Sequence, residues 1–241
     1  MVIFSAFPHC LIKVMYNLLI AIGAFTLFHM VPSTPLRAWL IDRLGRSPFM
    51  WAFSGLSLLF FGWIWIAYRA APVEIIFWVT PEWARWASAA LMLAAILLAI
   101  GAATGRPRVL LTAETALMEP DPVRGVLRIT RHPMLWAVTI WGLLHMANNA
   151  DPASWVFFGY ITLLALGGTT LIDRRRARLI GKAWSPFKAQ TSNLPFLAIA
   201  QGRNRLSFSE IGWSRLAATG VLWALILSAH ETAFGLPAIW F

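Results

Sequence analysis

The sequence predicts an all-α protein, a polytopic bundle of about six transmembrane helices, and three observations carry that prediction. Hydrophobic residues fill 59% of the 241 positions and charged residues only 12%, with a mean hydropathy of +0.67. Soluble domains carry about 25% charged residues. Apolar stretches recur at close to the ~20 residues that a helix needs to cross hydrocarbon. Basic residues gather in alternate connections, the pattern that membrane topology imposes on loops.

The spans follow in order. The first covers residues 11–29, with Lys13 able to snorkel to head groups, and stops at Pro32 and Pro35. A basic loop with Arg37, Arg43 and Arg46 leads to a second span over 49–68, rich in Trp and Phe and closed by Arg69. The next connection is nearly neutral and carries Trp78, Trp83 and Trp86, residues suited to a water–lipid boundary. The third span, 86–103, has no ionisable residue and reads as a supporting helix. A loop with Arg106, Arg108, Arg124 and Arg128 follows, locally acidic over 114–121.

The fourth span begins at Arg131-His132-Pro133 and runs through Trp141, His145, Asn148 and Asn149 to Asp151. A very short turn joins it to the fifth, 154–172, so the two are antiparallel neighbours, and Gly167-Gly168 permits close helix approach. Asp173 and the arginines Arg174, Arg175, Arg176 and Arg178 then mark an abrupt exit to water. The arginine run reads as a topology signal. An amphipathic stretch over 179–188 and a polar region to Arg215 precede the last span, 216–240. Positive charge thus falls after spans one, three and five, which places those loops in the cytoplasm. The chain reads as one domain over 1–241, in contact with the lipid bilayer.

The formal charge of +10 is accounted for by these loops, so no nucleic-acid partner is expected. The lone Cys10 excludes an intramolecular disulfide and any paired-cysteine metal site. No small-residue cleavage site follows the first apolar run, so it reads as a retained helix. Zinc-protease, phosphate-loop and nucleophile-elbow motifs are absent from the sequence.

Polar groups inside a bilayer are costly and mark function by default, which makes the fourth span the informative one. Arg131 and His132 anchor it to head groups or contact a phosphate, cofactor or metal at the membrane boundary. His145 lies about 20 Å further along an ideal helix. It shares a stripe with Met134, Val138, Trp141 and either Asn148 or Asn149, and reads as a bonded bundle histidine or a haem ligand. His29 ends the first span, and His230 with Glu231 reads as a bonded pair near the end of the last.

Several motifs together resemble the NnrU family. They are His29-x-x-Pro32-Ser33 with Leu36-Arg37 and Leu44-Gly45, Arg131-His132-Pro133-Met134-Leu135, Trp141 to His145 to Asn149 to Asp151, and Thr191-Ser192-Asn193-Leu194-Pro195-Phe196 with Gly202-Arg203. The likeness is strongest over 29–206, and residues 1–20 lie outside it. It implies a bacterial inner-membrane protein associated with denitrification and nitric oxide metabolism. Its plant relatives, the 15-cis-zeta-carotene isomerases, imply haem b and an isomerase or redox-linked role on a hydrophobic substrate. By that resemblance His29 and His145 are the axial ligands, with Arg131, Trp141, Asn148 and Asn149 around them.

Two imidazoles on one iron stand about 4 Å apart, at ~2 Å per metal–nitrogen bond. The predicted topology puts His29 and His145 at opposite depths, so His132 is the physical alternative as ligand. A more distant likeness to isoprenylcysteine carboxyl methyltransferases implies S-adenosylmethionine at the cytoplasmic face, with Arg131, His132, Asn193 and the later basic segment as its contacts. An assembly role beside respiratory complex subunits is the third, non-enzymatic expectation.

Overall fold

The computed structural model describes residues 7–73, 75–105, 121–236 and 238. Arg106, Arg108 and the acidic stretch up to Pro120 lie outside them. Among the described residues the regular structure is helical. Six long helices correspond to the six expected spans: α1 (Phe7–Met30), α3 (Arg46–Arg69), α4 (Glu82–Thr104), α5 (Pro133–Asn148), α6 (Pro152–Ile180) and α10 (Trp213–Phe234). Short helices α2 (Leu36–Leu44), α7 (Trp184–Gln190), α8 (Leu197–Ala200) and α9 (Phe208–Ile211) fill the connections.

Four helices are long and apolar enough to cross a membrane: Arg46–Arg69, Glu82–Thr104, the helical stretch Pro152–Gln190, and Trp213–Phe234. A shorter apolar helix covers Met15–His29. The protein is a multi-pass membrane protein. Leu58, Leu59, Leu163 and Val221 are all more than 60% exposed, a surface that water would penalise and lipid tails accept. α5 is the exception in length. Its 16 residues span about 24 Å at ~1.5 Å each, short of the ~30 Å hydrocarbon core.

The chain divides into two compact units, one formed by 1–78 with 150–160 and the other by 79–149 with 161–241. In the first, the 3₁₀ turn Val31–Ser33 with Pro at its start ends α1. Gly45 at φ 85° then separates α2 from α3, a backbone region that costs a side chain dearly. The unit's interior is aromatic. Tyr68 stacks on Phe157 with ring centroids 4.6 Å apart, and Phe25 meets Tyr160 edge-on at 6.3 Å. The polar tips of these half-buried phenols are bonded: Tyr68 to Ser154 at 3.0 Å and Tyr160 to Thr26 at 2.8 Å.

In the second unit α4 packs against both α5 and α10, and Trp223 of α10 donates to the Ala89 carbonyl at 2.7 Å. Gly101 lets the 3₁₀ turn Gly125–Arg128 approach α4; a Cβ there would stand 2.4 Å from a methyl of Val126. That turn is itself anchored, since Glu210 accepts from the Gly125 amide at 2.9 Å and from Arg128 Nε at 2.6 Å. The expected close approach at Gly168 is present, with Leu135 of α5 at 3.5 Å from its Cβ position.

The exit after the fifth span differs from expectation. α6 continues unbroken through Asp173 and the arginines to Ile180, about 43 Å at ~1.5 Å per residue. Arginine and alanine have good helix propensity, so the arginine run ends the membrane span without ending the helix.

The Arg128 hydrogen bond holds the Glu210 carboxyl below the ordinary glutamate range, and the pair supports the turn only while Glu210 is ionised. Its contribution is therefore present above the unfolded value near pH 4.3 and is lost as pH falls through the lower folded value. Thermal unfolding in detergent from pH 7 to pH 3 should show wild type losing more stability than Glu210→Gln. Parallel curves would contradict this.

Candidate functional site

The polar site of the second unit is assembled around the start of α5. Pro133 occupies the first helical turn, where its missing N–H costs nothing. The two residues before it are buried, Arg131 at 7% and His132 at 4% exposure. A buried guanidinium requires a partner, and Asp173 of α6 supplies it. Arg131 Nε lies 3.0 and 2.9 Å from the two carboxylate oxygens, with the terminal nitrogen NH2 completing a two-pronged pair. His132 Nε2 sits 2.8 Å from Asp173 Oδ1.

Burial pushes the His132 imidazole below its ordinary value despite the carboxylate. Its Nε2 faces the carboxylate, and the tautomer sets which ring nitrogen donates. The fixed guanidinium keeps Asp173 ionised.

The Thr191–Phe196 motif closes over this corner. Arg131 N donates to Ser192 O at 3.0 Å, Thr130 Oγ1 to Asn193 O at 2.6 Å, and Phe196 N to Ile129 O at 2.8 Å. Phe196 itself adopts φ 63°, the strained region for a residue with a side chain. The Asn193 side chain accepts from Trp136 Nε1 at 3.3 Å and donates to Thr169 at 2.9 Å. Arg203 NH1 reaches Thr191 O at 2.9 Å, and Asn204 donates to Arg128 O and Gln190 O at 3.0 Å each. Motifs some 60 residues apart in sequence thus form one hydrogen-bonded wall.

Beside that wall is a cavity of about 820 Å³. Arg131, His132 and the start of α5 line it together with Gly101, Ile172, Arg176 and Ile211. The Arg176 guanidinium also lies over the Trp184 ring, 5.8 Å from its centroid.

The other predicted residues stand elsewhere. His145, thirteen residues beyond His132 on α5, is about 20 Å along that helix, so the two are not interchangeable at one iron. Its Nδ1 lies 2.8 Å from the Trp141 carbonyl, and its ring is 4.8 Å from Trp141 and 6.4 Å from His230. Asn148 Nδ2 donates to Ser88 at 2.8 Å and to Leu144 O at 2.7 Å, and Asn149 caps the helix on His145 O at 2.9 Å. His230 bonds the Leu236 carbonyl at 2.6 Å.

His29 belongs to the first unit. It stacks on Phe25 at 4.8 Å, and its buried Nδ1 has no hydrogen-bond partner. Each of these histidines suits iron in its own surroundings. A haem ligand is oriented through its second nitrogen, as at His145, and an orphaned buried nitrogen, as at His29, is costly unless something binds it. Among the described residues no group of three or more His, Cys, Asp or Glu could hold a bare metal ion.

Sequence reasoning missed the role of Asp173. Its one signal was an acid standing alone before four arginines. The Glu210–Arg128 anchor and the cavity had no signal.

Comparison with known proteins agrees with the motifs. Over 85 residues the chain is 38% identical to the 15-cis-zeta-carotene isomerase of Zea mays, covering 34% of this chain and 22% of the plant protein. The Arabidopsis thaliana 15-cis-zeta-carotene isomerase is 37% identical over 86 residues, with the same coverage. The chain therefore spans about a fifth of the length of these relatives. No solved structure matches it. The family described as "NnrU protein" matches residues 17–238, nearly the whole chain, which belongs to the NnrU family.

Proposed function

We propose that this chain is a membrane-embedded enzyme of the isomerase type, acting on a hydrophobic substrate with haem b. The observation that carries the reading is the likeness to two plant carotene isomerases within a family match over residues 17–238. Haem supplies a Lewis-acid or one-electron iron centre when bound. By the family resemblance His29 and His145 are its ligands.

The remaining work falls to the protein's own groups. The Trp141 carbonyl fixes the His145 ring. Asn148 and Asn149 hold the end of α5 through Ser88 and the backbone. Apolar helices admit a substrate from the bilayer. The family resemblance further supports a bacterial inner membrane, cytoplasmic basic loops and a link to nitric oxide metabolism.

Purified wild-type protein should show a haem absorption band and a positive pyridine haemochrome assay. His145→Ala should lose the band while retaining its helical circular dichroism. A chain that stays colourless after haem reconstitution overturns the reading.

The cavity favours a second reading, a methyltransferase-like enzyme with S-adenosylmethionine held near Arg131 and His132. Calorimetry with S-adenosylmethionine separates the two, since heat of binding supports this second reading and its absence excludes it.

A further inference from the structure

The segment between α7 and α8 belongs to water by its Thr-Ser-Asn composition, yet its contacts place it at the depth of a membrane span. Asn193 donates to Thr169 at 2.9 Å and accepts from Trp136 Nε1 at 3.3 Å. Thr169 is buried in α6, four residues before Asp173, where charge ends the apolar stretch of that helix. At ~1.5 Å per residue, Asn193 therefore reaches about 6 Å inside the charged boundary of α6.

The backbone of the segment is built for that depth. Irregular chain beside lipid must have its polar groups bonded within the protein, whereas a loop in water can leave them to solvent. The carbonyls of Thr191, Ser192, Asn193 and Leu194 each accept a hydrogen bond, from Arg203, Arg131, Thr130 and Ser192 in turn. The amides of Phe196 and Ala198 donate to Ile129 O and Ser192 Oγ.

Its two sides differ in chemistry. Thr191 and Ser192 are buried against the Arg131 corner, while Leu194, Phe196 and Leu197 are exposed. Phe196 at φ 63° occupies a region where Gly or Asn is the usual choice. Such strain persists only where the surroundings enforce it, and the bond to Ile129 does so here. The result is an outward phenyl ring, which water penalises and an acyl layer accepts. Lys188, Arg203 and Arg205, all exposed, bracket the segment as cations that reach lipid phosphates do.

We propose that Thr191–Phe196 and α8 are seated in the boundary layer of the bilayer, with Leu194, Phe196 and Leu197 among the acyl chains. The partner is the lipid surface itself. On its inner side the same segment bonds Arg131, so it separates the buried Arg131–Asp173 pair from lipid. The placement is independent of haem and of the substrate.

The test uses the full chain with Cys10→Ser, reconstituted in vesicles of phosphatidylcholine and phosphatidylglycerol. A nitroxide is attached at one site at a time, in Leu194→Cys, Leu197→Cys, Leu163→Cys and Lys182→Cys. Leu163, exposed in the middle of the α6 span, is the lipid reference. Lys182, exposed beyond the arginine run, is the water reference. Power-saturation electron paramagnetic resonance then compares relaxation by oxygen, which partitions into lipid, with relaxation by a water-soluble nickel chelate.

The oxygen-to-nickel ratio at Leu194 and Leu197 should exceed that at Lys182 several-fold and lie below that at Leu163. A ratio equal to that of Lys182 overturns the proposal, because the segment then lies in water. Weak relaxation by both reagents also overturns it, since protein then covers the face instead of lipid. Thermal unfolding of each labelled chain should match that of the unlabelled Cys10→Ser protein. The two sites are read separately, so a folding defect at one leaves the other to decide.

Discussion

Asp173→Asn should destabilise the protein by about 3–5 kcal/mol, the cost of leaving a buried charge without its counter-ion. The guanidinium of Arg131 is 8% exposed and the Asp173 side chain 17%, so water cannot replace the lost carboxylate. The His132 ring also loses the acceptor that orients it. In detergent, thermal unfolding should shift down on the order of 10 °C, by the usual scaling for a chain of this size.

The companion variant is Arg131→Met with Asp173→Leu. Removing both charges should cost less than removing either alone, because apolar replacement avoids the unpaired ion. A double variant at least as unstable as the sum of the singles would show that the pair acts through something other than mutual neutralisation.

The second large effect is expected at Gly101. Gly101→Leu places a Cβ 2.4 and 2.8 Å from the two methyls of Val126, closer than any packed core tolerates. The turn cannot simply withdraw. Gly125 holds φ 56° and is bonded to Glu210, while Val126 and Leu127 are each 5% exposed. Overpacking costs about 1–3 kcal/mol, and this anchored site belongs at the upper end. Val126→Ala in the same chain should recover a good part of the loss, a coupling that distant sites do not show. Additive losses would place the strain elsewhere.

Much of the architecture was legible because a bilayer reduces the problem to apolar run length and loop charge. The long helices Arg46–Arg69, Glu82–Thr104 and Trp213–Phe234 begin within about four residues of the expected spans. Pro32, Pro35, Gly45 and Pro133 stand where helices start or stop, since their backbone restrictions act locally. The ends of α6 and α10 were less legible. Arginines leave the membrane without leaving the helix, and α10 stops at Gly235, φ 77°, before the last apolar residues.

The site divided along the same line. From the sequence alone it follows that this is a helical membrane protein, that Arg131, His132 and His145 are polar groups in its fourth apolar span, and that its motifs resemble those of the NnrU family. The sequence could not say that Asp173 neutralises Arg131 and orients His132, that the Thr191–Phe196 segment walls the same corner, or that Arg131 and His132 also line a cavity. Those contacts join residues about 40 to 60 positions apart, and no local periodicity encodes them. The tertiary structure decided them because a buried guanidinium must be paired, and helix packing alone determines which carboxylate is within reach.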